Sequence, residues 1–276
     1  MDTLDSKRER LRQELEATGG VMVAFSGGAD STFLLAAAAE ALGDRAVAAT
    51  GVSPSLADHE LTDARLLAGE LGVRHVVVAT HELQRPGYTA NGPDRCYFCK
   101  SELFDLLVPL AQIEGLALAV GTNTDDLGDW RPGQRAAQEH DVLTPLVAAG
   151  FTKADVREAS RRIGLRTADK PAAACLASRV AYGVQVTSHR LSRVERAEAL
   201  LRSFGLPQLR VRDHGDLARI EVPLDALGML VEPGRRDQLV AHLHELGFSY
   251  VTLDLEGFRS GSMNAALGAG VAAPAG

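Results

Sequence analysis

The sequence is poor in cysteine, tryptophan and lysine. Only three cysteines and one tryptophan occur in 276 residues. So few cysteines, in an odd number, argue against a disulfide framework and leave a metal-binding or catalytic role open. Lysine supplies only four of the 29 basic residues, at positions 7, 100, 153 and 170. We attribute this excess of arginine, like the many alanines, to genome composition.

A long apolar run and an excess of positive charge are also missing. Residues 1–10 are charged and have no apolar segment typical of a secretory signal, and the apolar stretch 32–39 is too short to span a bilayer. The formal net charge is −7 and the pI about 5.6, which argues against binding nucleic acid mainly through phosphate neutralisation. We expect a cytoplasmic protein with no membrane or nucleic-acid partner.

The pattern of apolar segments predicts two domains. Short apolar runs at 21–25, 46–51, 75–79, 116–120 and 142–146 alternate with helical segments, which predicts an α/β domain with a parallel sheet flanked by helices over residues 1–170. Residues 80–95 are rich in turn formers and are predicted to be a loop. After Cys175 the pattern changes to a smaller α+β domain, assigned to 171–262. The Gly/Ala-rich tail 263–276 is predicted to be disordered.

The first informative motif is the segment 26–31, Ser-Gly-Gly-Ala-Asp-Ser, between a predicted strand and a helix. Gly27 and Gly28 let the backbone approach a ligand, and the helix N-terminus attracts anions. Ser26 and Ser31 add hydroxyl donors. Asp30 would repel a bare phosphate and so suggests a bound Mg²⁺ or water. The alternative is a plain strand–helix turn with a polar cap, but the complete motif favours phosphate binding.

This segment resembles the PP-loop motif of the ATP pyrophosphatase superfamily, and we call residues 26–31 the PP-loop segment. The resemblance implies a parallel α/β fold and an enzyme that splits ATP between its α- and β-phosphates and transfers AMP to an oxygen of the substrate. It also implies that Ala24 and Gly121 contribute to the nucleotide site, with Mg²⁺ as the accompanying ion.

The three cysteines form the second motif. Cys96 and Cys99 make a C-x-x-C, and Cys175 lies near the predicted domain boundary. Three thiolates leave one open position on a tetrahedral metal or one open iron on a [4Fe–4S] cluster. A zinc site would need a fourth ligand, for which the candidates are His75, His81 and His140. A redox pair with Cys175 as resolving thiol, or three unconnected cysteines, are the other interpretations.

The second half resembles the LarE family. The motifs are Cys-Leu-Ala-Ser-Arg at 175–179, Tyr-Gly at 182–183, Arg-Val-Arg at 210–212, Ile-Glu-Val-Pro at 220–223 and the segment 253–261; earlier in the chain, 121–126 and 129–133 also match. The resemblance implies a sulfur insertase that adenylates a carboxylate of pyridinium-3,5-biscarboxylic acid mononucleotide and replaces oxygen by sulfur. The product leads to the nickel-pincer nucleotide of lactate racemase. The family also implies a homo-oligomer, either a dimer or a hexamer.

The source of the sulfur depends on the type of family member. In one type, the cysteine that corresponds to Cys175 attacks the acyl adenylate and gives up its own sulfur. This sequence departs from that type because it also has Cys96 and Cys99, and is similar to members whose three cysteines hold a [4Fe–4S] cluster. The hypothesis is therefore that Cys96, Cys99 and Cys175 ligate a cluster that carries a replaceable sulfide, with the sacrificial route through Cys175 as the alternative.

A substrate with phosphate and carboxylate groups should attract arginines. The candidates lie in the family-like motifs, although any one of them could equally be a surface arginine: Arg131, Arg179, Arg210, Arg212 and Arg259, with Ser178 as a further donor. Glu198, Glu221 and Asp225 could form a divalent-metal or interface site, against the alternative of a solvated face. Two rival functions remain at this point: a PP-loop tRNA thiolase, and a non-catalytic regulator that binds adenine nucleotides.

Overall fold

The computed structural model describes residues 3–128, 132–171, 174–206 and 208–259. The chain falls into two compact units. One is built from the described parts of Met1–Glu82 and Cys96–Ala173, and the other from those of Leu83–Arg95 and Ala174–Gly276. The chain therefore passes from one unit to the other three times, at 82/83, at 95/96 and at 173/174.

The first unit contains a four-stranded parallel sheet. Its strands are β1 (Val21–Ala24), β2 (Ala46–Val52), β3 (Arg74–Ala79) and β4 (Ala117–Ala119), in the spatial order β3-β2-β1-β4. In β1, Val21 and Val23 belong to one buried cluster and Met22 belongs to another. Because successive side chains of a strand point to opposite faces, the sheet is covered on both sides.

Helices supply those two covers. The helices of the first unit are α1 (Leu4–Ala17), α2 (Ala29–Leu42), α3 (Asp58–Glu70), α5 (Arg95–Ile113, whose first residue belongs to the second unit), α6 (Pro132–Glu139), α7 (Pro145–Ala148) and α8 (Lys153–Arg162). Residues of α1, α2, α3 and α8 pack in one cluster, and residues of α5 and α6 pack in the other. None of the helices that the structure describes is long and apolar enough to cross a membrane.

The second unit contains a three-stranded sheet of β5 (Arg210–Asp213), β6 (Leu217–Glu221) and β7 (Tyr250–Leu253). Strands β5 and β6 are antiparallel, and β7 runs parallel to β6. The helices are α4 (Pro86–Thr89), α9 (Ser188–Ser203), α10 (Leu227–Val231) and α11 (Pro233–Glu245). The predicted fold class, a helix-flanked parallel sheet followed by a smaller α+β part, is confirmed.

Asn91 explains why the segment 83–95 belongs to the second unit. Its buried side-chain amide donates to the carbonyl oxygens of Val180, Ala181 and Val184 at 3.2, 2.8 and 2.9 Å, and its Oδ1 accepts from Arg95 at 2.5 Å. Its φ of 58° lies in the left-handed region, which asparagine tolerates better than most residues. The predicted loop is thus a tightly bonded part of a unit that is distant in sequence.

The predicted fifth strand at 142–146 is wrong. Among the described residues of this segment, only Leu143 makes a bridge, to Ala119 of β4. Helix α7 then begins at Pro145, which has no N–H to donate to a neighbouring strand and favours the first position of a helix. The tail 263–276, predicted to be disordered, lies outside the described residues.

Candidate functional site

The PP-loop segment joins the central strand β1 to α2, at the edge of the sheet where parallel strands end. Gly27 has a φ of +68°, a conformation that favours glycine. A Cβ at Gly27 would also lie 3.4 Å from Ala64 of α3. The turn therefore depends on glycine for its backbone conformation, while a Cβ here would make only an ordinary contact with α3.

Two hydroxyl groups lie across this turn. The Oγ atoms of Ser26 and Ser31 are 3.2 Å apart, and Ser31 Oγ donates to the carbonyl of Gly28 at 3.2 Å. Gly28 N–H has a long contact of 3.4 Å to Ser26 Oγ. The first N–H groups of a helix have no acceptor within the helix. Hydroxyls and backbone donors are thus collected where the dipole of α2 is positive, an arrangement that can bind an anion.

Gly121, just beyond β4, lies directly against the start of α2. A Cβ at this position would lie 2.8 Å from the backbone nitrogen of Ser31 and 2.9 Å from the carbonyl carbon of Asp30. No side chain could relieve such a contact, because both neighbours are backbone atoms. The structure therefore places Gly121 at the PP-loop segment, and its role there is to allow this close packing.

The Asp30 carboxylate is neutralised from a distant part of the chain. Lys153 Nζ donates to it at 2.5 Å and Asn123 Nδ2 at 3.2 Å. The backbone N–H of Lys153 donates to Asp125 at 2.9 Å, which ties the loop after β4 to α8. A Mg²⁺ ion or a phosphate at this place would have to replace part of this pairing.

Neither Lys153 nor Asn123 is among the site residues predicted from the sequence. Lys153 follows Thr152, whose side chain caps α8 in a capping box with Asp155. The scarcity of lysine was a usable signal, since two of the four lysines, Lys153 and Lys170, bond to the PP-loop segment.

Cys96 and Cys99 lie near the start of α5. Residues three positions apart share a face of a helix. Cys96 is exposed and Cys99 is partly exposed. The two sulfurs can therefore contact a common ligand.

The structure holds Cys175 through its backbone. Its carbonyl oxygen accepts from Ser178 N at 3.0 Å, Ser178 Oγ at 2.7 Å and Arg179 Nη1 at 2.9 Å. Its side chain is exposed at the start of a short 3₁₀ helix, Leu176–Arg179. Ser178 and Arg179, predicted to bind substrate, both contribute to fixing the backbone that presents Cys175.

An arginine cluster lies in the second unit, and we define it as Arg179, Arg210 and Arg212 with the buried Glu198 and Glu221. Arg179 pairs with Glu198 at 3.0 Å, and Arg212 pairs with Glu221 at 2.8 Å. Burial, followed by the charge of Arg179, lowers the pKa of Arg210 to about 10. An anionic ligand beside Arg210 would counter both effects.

Arg259, another predicted substrate residue, does not belong to this cluster. Arg259 is exposed and pairs with Glu256 and with Asp254, the latter at 3.8 Å. Arg131 lies outside the described residues.

The carboxylates proposed for a divalent metal have other partners. Besides Arg179, Glu198 accepts from Arg202 at 2.9 Å, and Arg219 pairs with Glu221 at 3.1 Å, while Asp225 is exposed. Over the described ranges, no group of three or more His, Cys, Asp or Glu side chains is assembled for a metal. The charge of the two buried glutamates is compensated by arginine side chains and does not require a metal ion.

Two of the three candidate histidines are also engaged. His75 Nε2 contacts Thr50 Oγ1 at 2.7 Å. His140 contacts the carbonyl of Ala136 through Nδ1 at 2.7 Å and Asp105 through Nε2 at 2.9 Å. His81 is exposed. The structure thus gives no support to His75 or His140 as a fourth metal ligand.

Comparison with known proteins gives full-length relatives, although no protein-family model matches the chain. A Synechocystis protein of unassigned function is 46% identical over 265 residues, which cover 96% of this chain and 99% of that protein. The pyridinium-3,5-bisthiocarboxylic acid mononucleotide synthase of Lactiplantibacillus plantarum is 38% identical over 266 residues, or 96% of each chain. A protein of unassigned function from Methanocaldococcus jannaschii is 27% identical over 241 residues, which cover 87% of this chain.

Proposed function

Because the chain belongs to the LarE family, which includes the pyridinium-3,5-bisthiocarboxylic acid mononucleotide synthase, we propose that it is an ATP-dependent sulfurtransferase. Its substrate is pyridinium-3,5-biscarboxylic acid mononucleotide, and its product serves nickel-pincer nucleotide synthesis. The observation that carries the proposal is the 38% identity over 96% of both chains. The aligned region extends over the greater part of both units.

The first chemical step is adenylation of the substrate. A carboxylate oxygen attacks the α-phosphorus of ATP, an acyl–adenylate bond forms, and pyrophosphate leaves. The hydroxyls of Ser26 and Ser31 and the N–H groups at the start of α2 fit the phosphates. Asp30 is the residue that would hold Mg²⁺, after Lys153 has turned from the carboxylate to a phosphate oxygen.

The second step replaces oxygen by sulfur. A sulfur nucleophile attacks the acyl carbon, and AMP leaves with one of the original carboxylate oxygens. Arg210 and Arg212 are suited to the negative charge of the mononucleotide, because Arg210 is half-buried and the neighbouring positive charge of Arg179 helps to lower its pKa. Arg210 and Arg212 thus bind and orient the substrate, while Arg179 and Ser178 hold the backbone at Cys175.

The third element of the proposal is a [4Fe–4S] cluster ligated by Cys96, Cys99 and Cys175. Cys96 and Cys99, three positions apart near the start of α5, can supply two such ligands, and Cys175 is exposed. When bound, the cluster would supply a sulfide that can be replaced after each reaction. The residues of this chain contribute the three thiolates and the backbone bonds that hold Cys175 in place.

The proposal is tested by assaying anaerobically reconstituted protein for iron, pyrophosphate release and thiocarboxylate product. With ATP and inorganic sulfide in excess, we expect several turnovers for the wild type, and loss of both iron and product in each Cys→Ala variant. Release of pyrophosphate without any thiocarboxylate would contradict sulfur transfer, and thiolation of tRNA instead would point to the rival enzyme class. Nucleotide binding with no pyrophosphate release from any substrate would indicate a regulator.

The sulfur source is tested separately by intact-protein mass spectrometry after a single turnover. The cluster route predicts an unchanged protein mass. Loss of the elements of H₂S from Cys175 would instead show the sacrificial route, in which the sulfur of that residue leaves with the product.

A further inference from the structure

Lys170 lies beside the PP-loop segment, and its ammonium group bonds to three acceptors. Nζ donates to the carbonyl oxygen of Gly27 at 3.1 Å, to Asp63 at 2.6 Å and to Glu60 at 3.1 Å. A lysine ammonium has three N–H groups, so every one of them has an acceptor. Lys170 therefore links the carbonyl of Gly27 to two carboxylates of α3.

The charge of Lys170 is balanced within this arrangement. Burial alone would lower the pKa of Lys170, but its hydrogen bonds with Asp63 and Glu60 outweigh burial and raise the pKa above its ordinary value. A lysine that is already paired with two carboxylates is a poor direct ligand for phosphate. Its effect on an anion must therefore pass through the backbone of Gly27.

The peptide group between Gly27 and Gly28 transmits that effect. It is trans, so the carbonyl of Gly27 and the N–H of Gly28 point in opposite directions. Since Lys170 holds the carbonyl on the side of α3, the N–H is directed to the other side, where its contact with Ser26 Oγ is long at 3.4 Å. That weak contact leaves the N–H open to a stronger acceptor such as a phosphate oxygen.

This peptide group needs an external restraint. It lies between two glycines, the residues with the greatest freedom of φ and ψ, and Gly27 already occupies the left-handed region. We propose that Lys170 is a positioning residue for ATP, which fixes the Gly27–Gly28 peptide so that Gly28 N–H faces the phosphates. The inference rests on the proposed function for the binding of ATP itself.

The test compares nucleotide affinities of the full-length wild type and Lys170→Met by calorimetry. Loss of one backbone hydrogen bond to phosphate corresponds to about tenfold weaker binding. We expect that loss for ATP and for pyrophosphate, and an unchanged affinity for adenosine, which has no phosphate. A general disturbance of the unit would instead weaken all three ligands alike.

Arg166→Met is the matched control. Arg166 pairs with Asp63 at 2.6 Å and with Glu70 at 3.0 Å on the same helix α3, and its bonds do not include the PP-loop segment among the contacts that the structure describes. Its removal should break an ion pair with Asp63 comparable to that of Lys170 and leave the ATP affinity within about twofold of the wild-type value. Lys170→Arg keeps a cation and N–H donors and should retain ATP affinity within about threefold.

Three results would overturn the inference: normal ATP affinity in Lys170→Met, an equal loss in Arg166→Met, or an equal loss for adenosine. If Lys170→Met does not fold, Lys170→Arg provides the test. Its side chain still has N–H groups that can donate to the Gly27 carbonyl, so a tenfold loss of affinity for ATP alone would contradict the inference. Failure of the wild type to bind ATP would refute the proposed function instead, so the two failures are distinguishable.

Discussion

Replacement of Gly121 by alanine tests the packing of the PP-loop segment. The added Cβ would lie 2.8 Å from Ser31 N and 2.9 Å from the carbonyl carbon of Asp30, whereas ordinary contacts begin at 3.4 Å. The first turn of α2 and the end of β4 must therefore move apart by roughly 0.6 Å. Both neighbours are backbone atoms, so no rotamer change can absorb the shift.

Overpacking of this kind costs about 1–3 kcal/mol, and the free energy of unfolding of Gly121→Ala in urea should fall by about 2 kcal/mol. The same movement displaces the N–H groups and hydroxyls of the proposed ATP site. We expect the dissociation constant for ATP to rise at least about tenfold, since small misplacements of binding groups are costly.

Gly69→Ala provides the matched control. Gly69 is exposed in the last turn of α3, and a Cβ there would have no neighbour within 4 Å. Alanine in a helix is favoured over glycine by roughly 0.5–1 kcal/mol, so this variant should be more stable and bind ATP normally. If Gly121→Ala has the same urea midpoint of unfolding as the wild type and binds ATP with the same affinity, the reasoning about this contact is refuted.

Two further predictions concern ionic interactions. The ring nitrogens of His140 face a backbone carbonyl and Asp105; burial alone would lower its pKa, but these bonds raise it above 6.5. The stabilisation by protonated His140 is thus fully present below pH 6.5 and is lost as the pH rises beyond it. The unfolding free energies of wild type and His140→Asn should therefore converge by about 1 kcal/mol towards alkaline pH. A difference that stays constant with pH would contradict this prediction. Asp213 is fully buried and pairs with Arg193 at 2.6 Å and with the more exposed Arg190 at 2.8 Å. Asp213→Ala should therefore lower the unfolding free energy by about 3–5 kcal/mol and Arg190→Ala by only about 1 kcal/mol, and equal losses in urea denaturation would speak against the burial argument.

Local patterns predicted much of the fold. The apolar run at 21–25 and the glycines after it predicted a buried strand and an anion-binding turn, and the structure shows β1 followed by the left-handed Gly27. The pattern failed at 142–146, where Val142 and Leu146 are buried in separate clusters and Leu143 alone makes a bridge to a strand. Apolar periodicity reports burial, and a strand also requires a neighbour with matching hydrogen bonds.

For the candidate site, the sequence identified charged residues but not their partners. Arg179, predicted to bind substrate, is buried against Glu198 and donates to the carbonyl of Cys175. Glu198 was considered a metal ligand, yet arginines surround it. The sequence shows that a charge is present, whereas its partner depends on which segments meet in the fold.

The sequence alone determined the parallel α/β fold class, the PP-loop segment and the C-x-x-C. Each of these depends on residues that are close in the chain, where strand periodicity, the freedom of glycine and the helical turn act locally. Only the tertiary structure decided that Lys153 neutralises Asp30 across 123 positions, that Lys170 holds the Gly27 carbonyl, and that Asn91 brings 83–95 into the second unit. Each of those pairings requires that two segments distant in sequence come within hydrogen-bonding distance. That distance is set by the packing of the whole chain, which no local pattern encodes.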